Sequence, residues 1–285
     1  MAGPQSTRRG PAEGDALTER PGTLFKVEEA RMTVITPVRH PVLHVSATPQ
    51  EMGRLAASEI AEELRTRLGM QPVVRMVFAA APSQSEMLQA LALAEGIPWD
   101  RVEAFHMDEY TGLPAEAPQR FGAWLTREFF DKVKLRAVHL IDPGVDAERC
   151  SDDYARLMAQ DPIDIVCLGI GMNGHIAFND PLADFSEARD VRVVKLDRLS
   201  RVQQVEEGLF PTLHDVPTYA VTLSIPRLLR AEKLFCCVPG KLKEAAVTRA
   251  FTGEVDPACP ASILRTHAGC TVYLDAESAA GLTQR

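Results

Sequence analysis

The chain has 285 residues, of which 46% are hydrophobic and 25% are charged, which suits a large folded domain of ordinary composition. A formal net charge of −8 and a sequence pI near 5.5 exclude the broadly basic surface that nucleic acids or anionic membranes require. No apolar run approaches the roughly 20 residues needed to cross a bilayer, and the six cysteines show no C-x-x-C or metal-ligand spacing, which favours a reducing, cytoplasmic setting.

The N-terminal segment differs in composition from the rest of the chain. Residues 1–23 are rich in proline, glycine and charge, and no apolar segment follows Arg8 and Arg9, so the segment is not a secretory signal. We predict a disordered tail over residues 1–23. No linker, repeat or break in composition divides the remainder, which predicts one domain over residues 24–285.

Helix and strand patterns alternate along this domain. A capping box, Thr48-Pro49-Gln50-Glu51, opens a helix that ends at Gly69, and a second one, Ser83-Gln84-Ser85-Glu86, opens a helix that ends at Gly96. Strands are predicted at 73–80, 101–107, 137–141, 164–169, 233–238 and 270–274, and further helices at 119–132, 146–160 and 242–251. This alternation predicts an α/β fold with a single open, mainly parallel, Rossmann-like sheet and helices on both faces.

The segment LGIGMNGHIAFND contains Gly169, Gly171 and Gly174 at the G-x-G-x-x-G spacing of a dinucleotide-binding turn. Such a turn places its third glycine in a long helix, whereas here Pro181 follows too closely. Several strands also precede the motif. We therefore expect the glycines to let the backbone turn sharply and approach a ligand closely.

Ligands of open parallel sheets bind beyond the carboxyl ends of the strands, and four such junctions carry polar residues. They are AAAPSQSE at 79–86, MDEY at 107–110, GMNGHIAFND at 171–180 and PGKLKE at 239–244. Together they supply a helix N-terminus, a carboxylate pair, a histidine and a lysine, which suits an anionic, polyhydroxylated small molecule. Asp108 and Glu109 are neighbours on extended chain and point opposite ways, so we expect one to act and the other to support it.

Two of these segments, FHMDEYTGL at 105–113 and LGIGMNGHIAFNDP at 168–181, resemble the signature segments of the glucosamine-6-phosphate deaminase/isomerase family. This family shares a superfamily with 6-phosphogluconolactonase. The resemblance runs from about Pro49 to Leu274 and includes VPGKLK at 238–243 and SILRTH at 262–267. It implies the isomerisation and deamination of a hexosamine 6-phosphate to a ketose phosphate and ammonia.

The resemblance also implies roles for single residues. Asp108 matches the base that moves a proton between carbons 1 and 2. His175 matches the group that opens the sugar ring, for which an ordinary histidine pKa of about 6.5 is suitable. Asn173 and Asp180 are assigned to assist His175. Substrate or phosphate binding is assigned to Ser83, Ser85, Lys243, Gly171 and Gly174. The resemblance implies no cofactor and no metal.

Some positions depart from the family pattern. Asn173 and Asp180 stand where the family usually has an aspartate and a glutamate, and an asparagine brings no full charge, so we expect a less basic His175. Residues 80–83, Ala-Ala-Pro-Ser, replace a phosphate loop rich in threonine and glycine. Arg198 and Arg201 are candidates for a second phosphate-binding arginine.

Two alternative hypotheses follow from these departures. A sugar-phosphate lactonase needs His175 to activate water but needs no proton transfer between carbons. A non-catalytic sugar-phosphate sensor binds the ligand without turnover. The sequence also allows a homo-oligomer.

Overall fold

The computed structural model describes residues 41–282, so the predicted tail, residues 1–23, and residues 24–40 of the predicted domain lie outside the described residues. The strands are β1 (Val42–Ser46), β2 (Val74–Phe78), β3 (Val102–His106), β4 (Asp108–Tyr110), β5 (Ala137–His139), β6 (Ile165–Leu168), β7 (Val191–Lys195), β8 (Tyr219–Leu223), β9 (Lys233–Val238) and β10 (Cys270–Asp275). The helices are α1 (Pro49–Met70), α2 (Ser85–Ala92), α3 (Phe121–Glu128), α4 (Ala147–Met158), α5 (Arg198–Glu206), α6 (Ile225–Leu229) and α7 (Glu244–Thr252). Every element predicted between residues 48 and 274 has a counterpart here.

Seven strands form the main sheet in the order β1-β10-β9-β6-β2-β3-β5. Every neighbouring pair is parallel. Parallel neighbours need crossover connections, and the long helical segments between the strands supply them. The prediction of an α/β fold with an open parallel sheet is confirmed.

Alternate residues of the central strands pack into two separate cores. Along β2, Met76 and Phe78 pack in one core with Ile60 of α1 and Leu88 of α2, whereas Val77 packs in the other core, together with residues of α4 and α7. A strand that is buried on both faces shows a continuous apolar run instead of alternation. The helices therefore cover both faces of the sheet, as predicted.

The two predicted capping boxes have different outcomes. At α1, the Thr48 hydroxyl accepts a hydrogen bond from the Glu51 N–H at 3.2 Å, as the motif predicts. The second prediction is wrong, since Pro82–Gln84 form a 3₁₀ helix and no side-chain cap precedes α2. The Ser83 hydroxyl instead accepts a hydrogen bond from the side chain of Gln84 at 3.2 Å.

A second, antiparallel sheet of three strands, in the order β4-β8-β7, was not predicted. Strand β4 has three residues, and α6, between β8 and β9, has only five. These elements are too short to give the periodic patterns on which sequence analysis depends. Within residues 41–282, no helix is long and apolar enough to cross a membrane.

The order of the main sheet decides where the polar junctions meet. Strands β9, β6, β2 and β3 are consecutive neighbours, and they are the strands that precede the four junctions identified in the sequence. Because they are parallel, their carboxyl ends lie along one edge. The fold therefore brings the four junctions together.

Candidate active site

A cleft opens at this edge and is lined by residues of all four junctions. Ser83 and Gln84 follow β2, Asp108 follows β3, His175 follows β6, and Lys243 follows β9. Four segments that are far apart in the sequence thus contribute to one concave surface.

Asp108 lies in the cleft with a carboxylate that no protein group holds. The side chain is 7% exposed, and among the described residues none donates a hydrogen bond to it. Burial, followed by the charge of Glu109, raises the pKa of Asp108 well above its ordinary value of 3.8. A carboxyl of this kind can take up and return a proton nearer to neutral pH than an ordinary aspartate.

Glu109 points away from the cleft and has a structural role. Its carboxylate is fully buried and accepts hydrogen bonds from the N–H groups of Tyr110 at 2.9 Å, Phe121 at 3.0 Å and Gly122 at 3.0 Å. Two of these donors are the first residues of α3, so Glu109 fixes the start of that helix. The opposite orientations expected from strand alternation are confirmed, and the roles of the two carboxylates stay a prediction.

The ring of His175 is held through one nitrogen. Its Nδ1 lies 2.8 Å from the Asn173 Oδ1 and 2.8 Å from the Ser200 Oγ. The amide nitrogen of Asn173 donates to Asp180 at 3.0 Å, which fixes the orientation of the amide and leaves Oδ1 as an acceptor. Nδ1 therefore carries the proton, and the lone pair of the neutral ring is on Nε2, to which no described group is hydrogen-bonded.

Asp180 supplies the negative charge of this cluster. The Asp180 Oδ1 lies 3.4 Å from the His175 Nδ1 and accepts a hydrogen bond from the Ser200 hydroxyl. The Asp180 Oδ2 accepts another from the Asp197 N–H at 2.8 Å. Burial by itself would raise the pKa of Asp180. The hydrogen bond and charge of His175, together with the hydrogen bonds of Ser200 and Asn173, outweigh the effect of burial and lower the pKa below its ordinary value. Asp180 thus brings close to the imidazole the full charge that Asn173 lacks.

The glycines of the G-x-G-x-x-G segment have packing roles. Gly171 lines the cleft, and a Cβ at this position would overlap three ring atoms of His175. Gly174 has a φ of +87°, and a Cβ there would lie 3.0 Å from the Cys259 sulfur, outside the cleft lining. No helix follows until α5, so the context of a dinucleotide turn is absent.

Strand β8 connects the two catalytic candidates. Asp108 is in register with Thr222, and the Thr222 hydroxyl accepts a hydrogen bond from the Phe178 N–H at 3.0 Å. The next residue, Leu223, donates its N–H to the Met107 carbonyl at 2.9 Å and accepts from the Asn179 amide at 2.8 Å. One strand therefore positions both Asp108 and the loop that carries His175.

A further part of the cleft lining, which we call the distal end, consists of Ser83, Gln84, Gln203, Glu207 and Lys243. The Lys243 ammonium is 3.2 Å from the Glu207 Oε1, and the Gln203 amide donates to the same oxygen at 2.7 Å. Burial lowers the pKa of Lys243, an effect opposed by the nearby charge of Glu207. The predicted phosphate-binding lysine is thus paired with a carboxylate.

Several predicted binding residues do not reach the cleft. Ser85 is the first residue of α2 and is absent from the lining. Arg198 is exposed, and Arg201 donates to the backbone carbonyls of Leu213 at 2.7 Å and Val216 at 2.9 Å. Neither candidate arginine lines the cleft, because one faces solvent and the other holds a neighbouring loop.

Sequence analysis missed the residues on and after α5, namely Ser200, Gln203 and Glu207. This helix is short and mostly polar, so it gives no apolar period. One local signal was available, since the side chain of Asp197 caps the helix by accepting from the Leu199 N–H at 2.7 Å.

Within residues 41–282, no three side chains of His, Cys, Asp or Glu lie together in a way that could hold a metal ion. The cysteines are unpaired thiols. The expected absence of a metal or cofactor stays a prediction.

Comparison of the sequence with known proteins identifies a family. The sequence model of the family described as glucosamine-6-phosphate isomerases/6-phosphogluconolactonase matches residues 47–273. The chain is 32% identical over 252 residues to a glucosamine-6-phosphate deaminase of Shouchella clausii, covering 86% of this chain and 98% of the relative. It is 32% identical over 227 residues to one of Listeria monocytogenes, covering 79% and 95%.

Solved structures show the same relationship. A monomeric glucosamine-6-phosphate deaminase superimposes with a TM-score of 0.77 at 25% identity, covering 84% of this chain and 99% of that one. A 6-phosphogluconolactonase of Trypanosoma brucei has the same fold, with a TM-score of 0.69 at 20% identity and coverage of 85% and 99%. The chain belongs to the glucosamine-6-phosphate isomerase/6-phosphogluconolactonase family.

Proposed function

We propose that this chain catalyses the aldose–ketose isomerisation and deamination of a hexosamine 6-phosphate, converting glucosamine 6-phosphate to fructose 6-phosphate and ammonia. The observation that carries the proposal is the carboxylate of Asp108 in the same cleft as His175, where neither that carboxylate nor the His175 Nε2 has a hydrogen-bond partner among residues 41–282. Deaminase names among the relatives support the choice of reaction.

His175 opens the sugar ring. Its Nε2 takes the proton of the hydroxyl on carbon 1 and gives a proton to the ring oxygen, while Nδ1 stays bonded to Asn173. The imidazolium that forms in between is stabilised by the ionised carboxylate of Asp180.

Asp108 then moves the proton. It removes the proton of carbon 2 and returns it to carbon 1, while one proton of the substrate ammonium passes to the oxygen on carbon 1, which converts the amino aldose into a protonated ketose imine. Addition of water to carbon 2 of the imine releases ammonia and leaves the ketose. A base with a raised pKa suits both halves of this transfer, because it must accept and give back the same proton.

Lys243 and Ser83 bind the phosphate at the distal end of the cleft. Gly171 allows the close approach of His175, and Gly174 gives the loop its turn. Ser85 contributes through the start of α2 and not through direct contact.

Two substitutions test the proposal. Purified protein incubated with glucosamine 6-phosphate is expected to release ammonia and fructose 6-phosphate in equal amounts. Asp108→Asn and His175→Gln are each expected to lower kcat/KM about 10²- to 10⁴-fold, the usual contribution of one general acid or base. A matched loss of both products identifies the reaction.

The same assay separates the alternatives. Strong hydrolysis of a sugar-phosphate lactone by the Asp108→Asn protein would favour the lactonase hypothesis, since that reaction needs only His175. Ligand-induced thermal stabilisation without turnover would favour the sensor hypothesis. Asp108 in the cleft favours the isomerase, because neither alternative needs a base that transfers protons between carbons.

We also propose that the protein acts in the cytoplasm on a small-molecule substrate, without a cofactor. The homo-oligomer allowed by the sequence stays a prediction, and one structural neighbour is described as monomeric. Light scattering during size-exclusion chromatography measures the oligomeric state directly.

A further inference from the structure

The distal end of the cleft contains two buried hydrogen-bond acceptors without partners. They are the Oε2 of Glu207 and the Oε1 of Gln84, and neither has a hydrogen bond within the described part of the chain. Both residues line the cleft, and Gln84 is 1% exposed. Leaving a buried acceptor without a partner is unfavourable, so a ligand that donates a hydrogen bond here gains affinity.

The orientation of Gln84 is fixed by its other atom. Its Nε2 donates to the Cys237 carbonyl at 3.1 Å and to the Ser83 hydroxyl at 3.2 Å. The amide cannot turn to present its donor without losing the bond to the Cys237 carbonyl, which can only accept. The oxygen of Gln84 is therefore the atom left without a partner in this part of the cleft lining, among the described residues.

The positive charge at this end is already compensated. Lys243 pairs with the Glu207 Oε1 at 3.2 Å. The other titratable side chains that line the cleft are Asp108 and His175, and the buried Tyr110 hydroxyl behind it donates to Gln204 at 2.6 Å. No arginine lines the cleft among residues 41–282. A fully ionised phosphate, which only accepts hydrogen bonds, would meet a carboxylate and an amide oxygen here beside the donors Lys243 and Ser83.

We propose that Glu207, together with Gln84, makes the distal end of the cleft select a substrate group that donates a hydrogen bond. The donor is the P–OH of a singly protonated phosphate ester, or the free 6-hydroxyl of an unphosphorylated amino sugar. Glu207 is thus a specificity-determining residue. The inference rests on the proposed function for the identity of the sugar but not for the selection itself.

A phosphate monoester loses its second proton with a pKa of about 6. A site that holds this proton between the phosphate and Glu207 binds the ester progressively more weakly as the pH rises above that value. A sulfate ester carries no such proton at any of these pH values. A free hydroxyl keeps its proton throughout.

The experiment measures the affinity of the full-length protein for glucosamine 6-phosphate, glucosamine 6-sulfate and glucosamine by calorimetry at pH 6 and pH 8. All three share the amino group, so the ratio of two dissociation constants at one pH removes its titration. For wild type, the dissociation constant of glucosamine 6-phosphate divided by that of glucosamine is expected to rise on the order of 50-fold from pH 6 to pH 8. The sulfate ester is expected to bind weakly at both.

Glu207→Gln tests the residue, because it keeps the shape and replaces a carboxylate oxygen with an N–H donor. At pH 8 the variant is expected to bind glucosamine 6-phosphate at least tenfold more tightly than wild type does, and the same gain is expected for the sulfate ester. The affinity of the variant for both esters is expected to change little between pH 6 and pH 8. Glu206→Gln removes the same charge from the exposed neighbouring position. It is expected to behave as wild type.

The source of the donor follows from wild type alone. Tighter binding of glucosamine 6-phosphate than of glucosamine at pH 6 identifies the protonated phosphate, and tighter binding of glucosamine at both pH values identifies the free hydroxyl. A ratio that is unchanged by pH together with strong binding of the sulfate ester overturns the inference, as does a Glu207→Gln protein indistinguishable from wild type.

Failure of the proposed function is separately visible. Ammonia release that accompanies an unchanged affinity ratio supports the function and contradicts the inference. The expected affinity pattern without ammonia from any of the three sugars supports the inference and contradicts the function.

Discussion

The two ends of the cleft differ in how their polar groups are satisfied. Around His175, the ring Nδ1 and the carboxylate of Asp180 are hydrogen-bonded. The groups without a partner among residues 41–282 are the two that would react, the His175 Nε2 and the Asp108 carboxylate. At the distal end, the lysine is paired with Glu207, and two acceptors lack partners. The reacting end is therefore prepared for chemistry, whereas the distal end still lacks a donor from its ligand. Under the proposed function, different residues set the reaction and the choice of substrate, so that the two can change separately.

The largest effect is expected where the reacting end is most tightly packed. Gly171→Ala places a methyl group where the imidazole of His175 lies, and a displacement near 1 Å is enough to lower kcat about 10²-fold. Steady-state kinetics with glucosamine 6-phosphate measure this loss.

Gly69→Ala is the matched control for that substitution. Gly69 is an exposed helical residue with no atom within 4 Å of the position that a Cβ would take. This variant is expected to keep wild-type activity. If Gly171→Ala is equally active, the packing of the glycine against the imidazole is not needed for function.

The next effect concerns Asp180 and Asp108, whose environments shift the pKa of the carboxyl group in opposite directions. The pKa of Asp180 is lowered, so this group stabilises the fold above its ordinary pKa of 3.8 and loses that contribution as the pH falls through the lowered value. Asp180→Asn is expected to lower the free energy of unfolding by about 1.5–3 kcal/mol at pH 7, the usual range for hydrogen bonds to a charged group. The difference should shrink as the pH falls below 3.8.

Asp108 should show the reverse sign. Its pKa is raised, so ionisation in the unfolded state destabilises the fold as the pH rises above 3.8, and Asp108→Asn is expected to be more stable than wild type at pH 7. Urea unfolding of both variants at pH 7 and pH 3 measures the two differences. Changes of equal sign at pH 7 would contradict the contrast.

The smallest effect separates two neighbouring serines at the distal end. Ser83 lines the cleft and Ser85 does not. Ser83→Ala is expected to raise KM for the phosphorylated sugar about two- to tenfold, the value of one hydrogen bond, and Ser85→Ala to leave it unchanged. A larger effect at Ser85 would indicate that α2 moves when the ligand binds.

The sequence predicted most of the main sheet, because buried parallel strands and long amphipathic helices give strong periodic signals. It also predicted that Asp108, His175 and Lys243 meet, since each lies in the segment that follows a strand of that sheet. It did not predict β4, β7 and β8, which are short or lie in segments without a long crossover helix. Glu207 was missed for a related reason, since it follows a short polar helix and its role depends on the position of Lys243 in space.

Strand β8 has a consequence for how such an enzyme can diverge. Thr222 and Leu223 each contact both the segment that carries Asp108 and the loop that carries His175. A mutation in β8 is therefore expected to disturb both candidate catalytic groups at once, and few substitutions there should be tolerated. Residues such as Glu207 contact neither Asp108 nor His175 by any hydrogen bond in the described chain, so mutations at the distal end can accumulate singly. A lineage can in this way acquire new substrates while its reaction stays the same.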